Sequence, residues 1–196
     1  MSLPEEISIA TVGHSTHPIE EFAGILQAHG IRQLVDVRTM PRSRRVPQFN
    51  KENLAASLQA ANILYRHMPG LGGLRHPKRD STNTGWRNAS FRGYADYMQT
   101  PEFRENLEEL IELAAQSPTA IMCAEAVPWQ CHRSLIADAL MARGISVTEI
   151  LSAKQSRPHT LTPFARVSGM KVTYPAAHAD ESKNLKLEFD DPGTLR

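Results

Sequence analysis

The stretch Thr119-Ala-Ile-Met-Cys123-Ala-Glu-Ala-Val-Pro-Trp-Gln-Cys131-His-Arg133 decides how the chain folds. Its first five residues, apolar or β-branched, read as a buried strand. From Cys131 to Arg143 the spacing of Leu135, Ile136, Ala139 and Leu140 predicts a helix, with Gly144 as its stop. Both cysteines of the protein lie in this stretch, with Glu125, His132 and Arg133. Reactive groups therefore gather where a strand ends and a helix begins, a frequent ligand position in α/β proteins.

The alternation extends in both directions. Ile7–Val12 reads as a strand ending at Gly13, followed by a helix from Pro18 to His29 with Ile19, Phe22, Ile25 and Leu26 inward. Gln33–Val37 reads as the second strand. A helix follows from Asn50, its expected cap, to about Ala61. Ile63–Met68 reads as the third strand, before a long Gly-rich and basic loop from Pro69 to Ser90. A longer helix covers Pro101–Gln116, and Ile145–Ile150 reads as the strand after the Cys131 helix. Such alternation predicts an α/β fold: a single domain with a mostly parallel, about five-stranded sheet and helices on both faces. The domain is expected over residues 7–151, with a C-terminal extension over 152–175 packing on it. A disordered tail is expected over 176–196. Lys171–Tyr174 is read as an added edge strand.

With 196 residues, 41% hydrophobic and 22% charged, the chain has the composition of one globular domain. No apolar run is long enough to span a bilayer, and the N-terminus lacks the pattern of a secretory signal. No membrane partner and a cytoplasmic location are expected. Two cysteines exclude a disulfide scaffold. The net charge of +1 hides an asymmetry: Arg32–Arg92 holds twelve Lys or Arg against three acids, and Asp96–Glu112 holds six acids against Arg104. Either an anionic partner meets the basic half, or the acidic helix lies against the basic loops.

In a parallel sheet the C-terminal ends of the strands share one edge. That edge should collect Gly13, His14 and Ser15; Asp36 and Arg38; His67, Gly72 and Gly73; Cys123 and Glu125; and Glu149. Each group has a structural use too, as a turn, a cap, an ion pair or a small buried hydrophobe. A Cys near a helix N-terminus is biased toward thiolate, and Arg133 would add positive field. A cysteine-phosphatase loop is absent, because position 129 is Trp and Arg133 lies ten residues from Cys123. A zinc deaminase would need a Pro-Cys-x-x-Cys that this chain lacks. A structural zinc finger needs four ligands, and Cys123, Cys131 and His132 make three.

Several spaced motifs resemble a known family. They are Thr11-Val-Gly-His-Ser15; Asp36-Val-Arg38 with Pro41 and Ser43; Tyr65 with His67 and Leu71-Gly-Gly73; and Cys123-Ala-Glu125 with Cys131-His-Arg133. Together they resemble the family called domain of unknown function 488, from about Ile9 to Ile150. The resemblance implies a compact α/β domain, mostly of prokaryotic origin, without an assigned activity.

The residues lead to three expectations of function. The first is an enzyme acting on a phosphorylated or otherwise anionic substrate, a nucleotide or nucleic acid among the candidates. Its catalytic groups are Cys123, Glu125, Cys131, His132 and His14. Gly13, Ser15, Asp36, Arg38, Ser43, His67, Gly72, Gly73 and Arg133 bind substrate. The second is a non-catalytic nucleic-acid-binding module using the basic loops 38–45 and 75–92, with Trp86 and Phe91 stacking on bases. The third is a Cys/His metal-binding or redox-sensing protein. No cofactor is expected, and a metal at Cys123, Cys131 and His132 is the alternative. Oligomeric state is not legible.

Overall fold

A computed structural model describes residues 7–176; the greater part of the expected tail, from residue 177 on, lies outside the described residues. Strand β1 is Ser8–Gly13, β2 Gln33–Asp36, β3 Leu64–His67, β4 Thr119–Cys123, β5 Ser146–Ser152 and β6 Gln155–Pro158. They form one sheet in the order β3-β2-β4-β1-β5-β6. All neighbours are parallel except β5 and β6, which are antiparallel. The domain is thus α/β with a mostly parallel sheet, of six strands rather than five. The sixth escaped the sequence pattern because Gln155–Pro158 is exposed throughout and has no apolar face. Lys171–Thr173 (β8) is not an edge strand of this sheet. It pairs with Arg166–Ser168 (β7) in a separate hairpin.

Helices α1 (Ile19–Ala28) and α2 (Lys51–Ala60) cover one face. Phe22, Ile25, Leu26, Leu54 and Leu58 pack there against Ala10, Val12, Leu34, Ala120 and Met122. Helices α3 (Ala89–Tyr97), α4 (Pro101–Gln116) and α5 (Arg133–Met141) cover the other, over Ile9, Val35, Ile121, Cys123 and Val147. The strict in-out alternation along β1 and β4 serves both cores, which is why these strands read as continuously apolar. Asn50 does not cap α2 with its side chain. Its Oδ1 instead accepts from Ser43 N at 2.6 Å, folding the basic loop back on the helix start.

The strand order creates a switch point. The connection from β1 leads through α1 to the β2 side; the connection from β4 leads through α5 to the β5 side. The two strands are neighbours, with Gly13 opposite Cys123. Chains leaving in opposite directions open a crevice at their ends, the usual ligand position in such sheets.

Candidate functional site

The backbone after β4 is pinned onto the end of β1. His14 N donates to Cys123 O at 3.0 Å and Ser15 N to Ala124 O at 2.9 Å. Gly13 is needed because any Cβ there would run into the Glu125 carbonyl. Ser15 completes the turn at φ 47°, a left-handed conformation.

This turn brings Cys123, Cys131 and His132 together, with their ligand atoms all within 4.8 Å of one another. Cys131 Sγ lies 3.7 Å from His132 Nδ1. The other ring nitrogen, Nε2, is 3.3 Å from the Val37 carbonyl; as donor there it leaves Nδ1 as a lone pair facing the sulfurs. Gly73 lets the ring approach, since a Cβ on it would stand 3.1 Å from Nδ1. Tyr94 packs 5.0 Å from the imidazole and ties its hydroxyl to Leu71 O.

Arg133 sits in the first turn of α5 with a relative exposure of 0%. It donates to Thr11 Oγ1 at 2.6 Å and to Glu125 O at 2.5 Å, and its Nε has no partner. Among the described residues no carboxylate pairs with it. A fully buried guanidinium without a counter-ion is costly unless another anion stands beside it. The Cys131 thiol is pushed down to about 6, by the hydrogen bond Cys123 gives it and by the charge and N–H groups of Arg133, against its burial. Cys123 is pushed up to about 12, by that same hydrogen bond and by burial. Cys131 is therefore the more acidic thiol of the pair.

A second network adjoins this one. Arg38 grips Asp36 with Nε at 2.8 Å and NH2 at 2.6 Å, gives NH2 also to Phe49 O, and gives NH1 to His14 Nε2 at 3.0 Å. Four of its five N–H groups are thus engaged inside the protein, and Asp36 neutralises its charge. His14 donates from Nδ1 to Ser15 O and stacks on Phe49 at 4.1 Å. Burial and the Arg38 charge push its pKa down to about 4. His67 Nε2 bonds Arg38 O, and Tyr65 donates to Asp36.

Cys123, Cys131, His132, Arg133, Gly13 and Gly73 thus form the centre, with His14, Asp36, Arg38 and His67 as the wall beside it. Glu125 enters through its carbonyl, while its carboxylate is exposed and makes no hydrogen bond or ion pair among the described residues. Gly72 lies against Thr39. Ser43 stands apart; its Oγ accepts from Arg45 N and Val46 N to shape the basic loop. Trp86 and Phe91, expected to stack on bases, are packed with Phe164 and Tyr174. The sequence reading gave Thr11 no role beyond its place in the Thr11–Ser15 motif, and it missed Phe49. Thr11 carried a signal, as a hydroxyl inside an apolar strand. Phe49 carried none.

Glu149, expected at the shared edge, instead joins a buried cluster with Asp138 that the sequence reading missed. His159 bridges Glu149 at 2.8 Å and Asp138 at 3.0 Å. Tyr174 and Thr162 N also donate to Asp138, and Arg157 to Glu149. Asp138 on the apolar helix face was a visible anomaly; its partners were not.

Fold and site together define a doubly wound α/β domain with a thiol pair at its switch point. The chain belongs to the family described as domain of unknown function DUF488, whose model matches residues 18–140. No match was found among curated proteins or solved structures. No helix among the described residues is long and apolar enough to cross a membrane.

Proposed function

We propose that this protein is an enzyme whose Cys131 acts as a thiolate nucleophile on an anionic substrate. One observation carries this: Arg133 is wholly buried beside Cys131 with no carboxylate to neutralise it. A thiolate is the anion that resolves that imbalance. The Cys131 thiol gives its proton to the His132 Nδ1 lone pair, Cys123 holds the resulting thiolate by hydrogen bonding, and His132 returns the proton to a leaving group. Arg38 and His14 serve as the rigid wall. Attraction of an anion falls to the exposed Arg42, Arg44 and Arg45 on the same edge.

A specific observation favours a second reading, a metal held by Cys123, Cys131 and His132. A zinc-like ion binds sulfur at about 2.3 Å and imidazole at about 2.0 Å in a tetrahedron, which puts those atoms roughly 3.5 Å apart. The observed 3.7 Å fits, as does the His132 Nε2 bond to a backbone carbonyl, the usual outer partner of a ligating histidine. Three such ligands leave a fourth position for water or substrate. When bound, the ion would supply Lewis acidity there.

The rate of alkylation by iodoacetamide against pH tests both. One thiol should half-titrate near pH 6, and that phase should vanish in Cys131→Ser. Cys123→Ala and Arg133→Met should each move it toward the ordinary value of about 8.5. Two thiols titrating near that value in the folded wild type would remove the nucleophile. One equivalent of zinc should block both cysteines on the metal reading; retention below about a tenth of an equivalent ends it.

A further inference from the structure

The loops leaving β2 and β3 carry six exposed cations against one exposed acid, Asp80. Arg42, Arg44, Arg45, Lys78, Arg79 and Arg87 are all exposed. Among the described residues none of their side chains takes part in an ion pair. The acidic helix α4 makes no ion pair with these loops. Its five glutamates at 102, 105, 108, 109 and 112 therefore leave the basic rim uncompensated.

The rim is also apolar in places. Met40 and Leu74 are 75% and 79% exposed, large values for such side chains, and both stand in these same loops. The loops touch, since Thr39 Oγ1 donates to Gly73 O at 3.0 Å, and Gly73 in turn abuts His132. The apolar patch therefore reaches toward the sulfur centre. Beside it runs a groove of about 330 Å³ lined by Thr39, Met40, Pro41, Arg42, Lys51 and Glu52. Met40 and Pro41 give it apolar surface, Arg42 and Lys51 give it two cations, and it adjoins the first turn of α2. Glu52 is its one acid. A flat apolar ring with a phosphate attached matches that combination, since phosphates favour both guanidinium groups and helix starts.

We infer that this face binds a single strand of nucleic acid, one base lying over Met40 and Pro41 and successive phosphates on Arg42, Arg44, Arg45 and Lys51. This names the substrate class for the thiolate centre and rests on the reading that the centre acts on an anion. A single strand fits better than a duplex. The apolar surface needs a base face, which a stacked duplex keeps inside.

Fluorescence anisotropy with a labelled single-stranded 12-mer and the full chain tests the inference. Wild type and Cys131→Ser should bind alike. The triple variant R42A/R44A/R45A, altered only at exposed positions, should bind at least tenfold more weakly at 0.1 M salt. Its log–log salt slope should fall by about 2, from three phosphate contacts at about 0.7 each. Met40→Ser should weaken binding without changing that slope. A triple variant that binds like wild type, no binding by wild type, or equal affinity for a duplex of the same length would each overturn the inference. The two proposals fail separately. Lost strand binding with a thiol still titrating near pH 6 ends only this one. Strand binding with ordinary thiols upholds the surface and ends the nucleophile.

Discussion

Two buried histidines in this molecule are held in opposite charge states. His14 lies at the end of β1, stacked on Phe49, with an Arg38 N–H aimed at its free nitrogen. Burial and that cation keep it neutral. His159 lies under α5 between the carboxylates of Asp138 and Glu149. Burial opposes its charge too, but the hydrogen bonds to Asp138 and Glu149 overcome it and raise its pKa. The same side chain, buried to a similar degree, is thus set by the sign of its neighbours. The difference also separates two jobs. The His159 cluster joins β5, α5 and the segment from Thr162 to Tyr174, and it exhausts its charges in doing so. The switch-point edge leaves Arg133 without a carboxylate among the described residues.

The largest test of this contrast is removal of the central carboxylate on each side. Asp138→Ala strips the partner from His159, Thr162 N and Tyr174, and should cost about 3–5 kcal/mol in urea unfolding. It should leave the Cys131 titration near pH 6. Asp36→Ala strands Arg38 and should cost a similar amount. A loss below about 1 kcal/mol in either would mean that water replaces the partner and that the cluster is less closed than described.

The pH dependence of stability should divide between the two histidines. His14 is depressed to about 4, so its contribution is present above about pH 6.5 and is lost as pH falls through about 4. His159 is raised, so its contribution is complete below about pH 6.5 and is lost as pH rises through its higher folded value. His14→Gln should flatten the acid limb of the thermal-unfolding profile, worth about 2 kcal/mol at pH 4.5. His159→Gln should flatten the alkaline limb. Interchanged limbs would reverse the assignment of charge.

The smallest effects are expected at two tyrosines. Tyr174 and Tyr65 each donate to a cluster carboxylate at 2.8 Å, but Tyr174 is buried and Tyr65 is half-buried. Tyr174→Phe should cost about 1–1.5 kcal/mol, because the stranded oxygen of Asp138 has no access to water. Tyr65→Phe should cost about 0.5 kcal/mol or less in the same unfolding assay, because Asp36 Oδ2 keeps the bond from Arg38 NH2.

The residue pattern settled the alternation of strands and helices and the edge where chemistry collects. Apolar spacing reports which face of an element is buried, and parallel strands bring their C-terminal ends to one side. Cys123 and Cys131 flank one turn, so their proximity was legible as well. Tertiary structure alone decided that β4 inserts between β2 and β1, which creates the switch point, and that the exposed Gln155–Pro158 joins the sheet. It alone decided that Asp36 neutralises Arg38 while no described carboxylate pairs with Arg133, and that His159 meets acids 10 and 21 residues away. Backbone periodicity is a local property. The pairing of buried charges is settled across the fold, by which groups lose their water together.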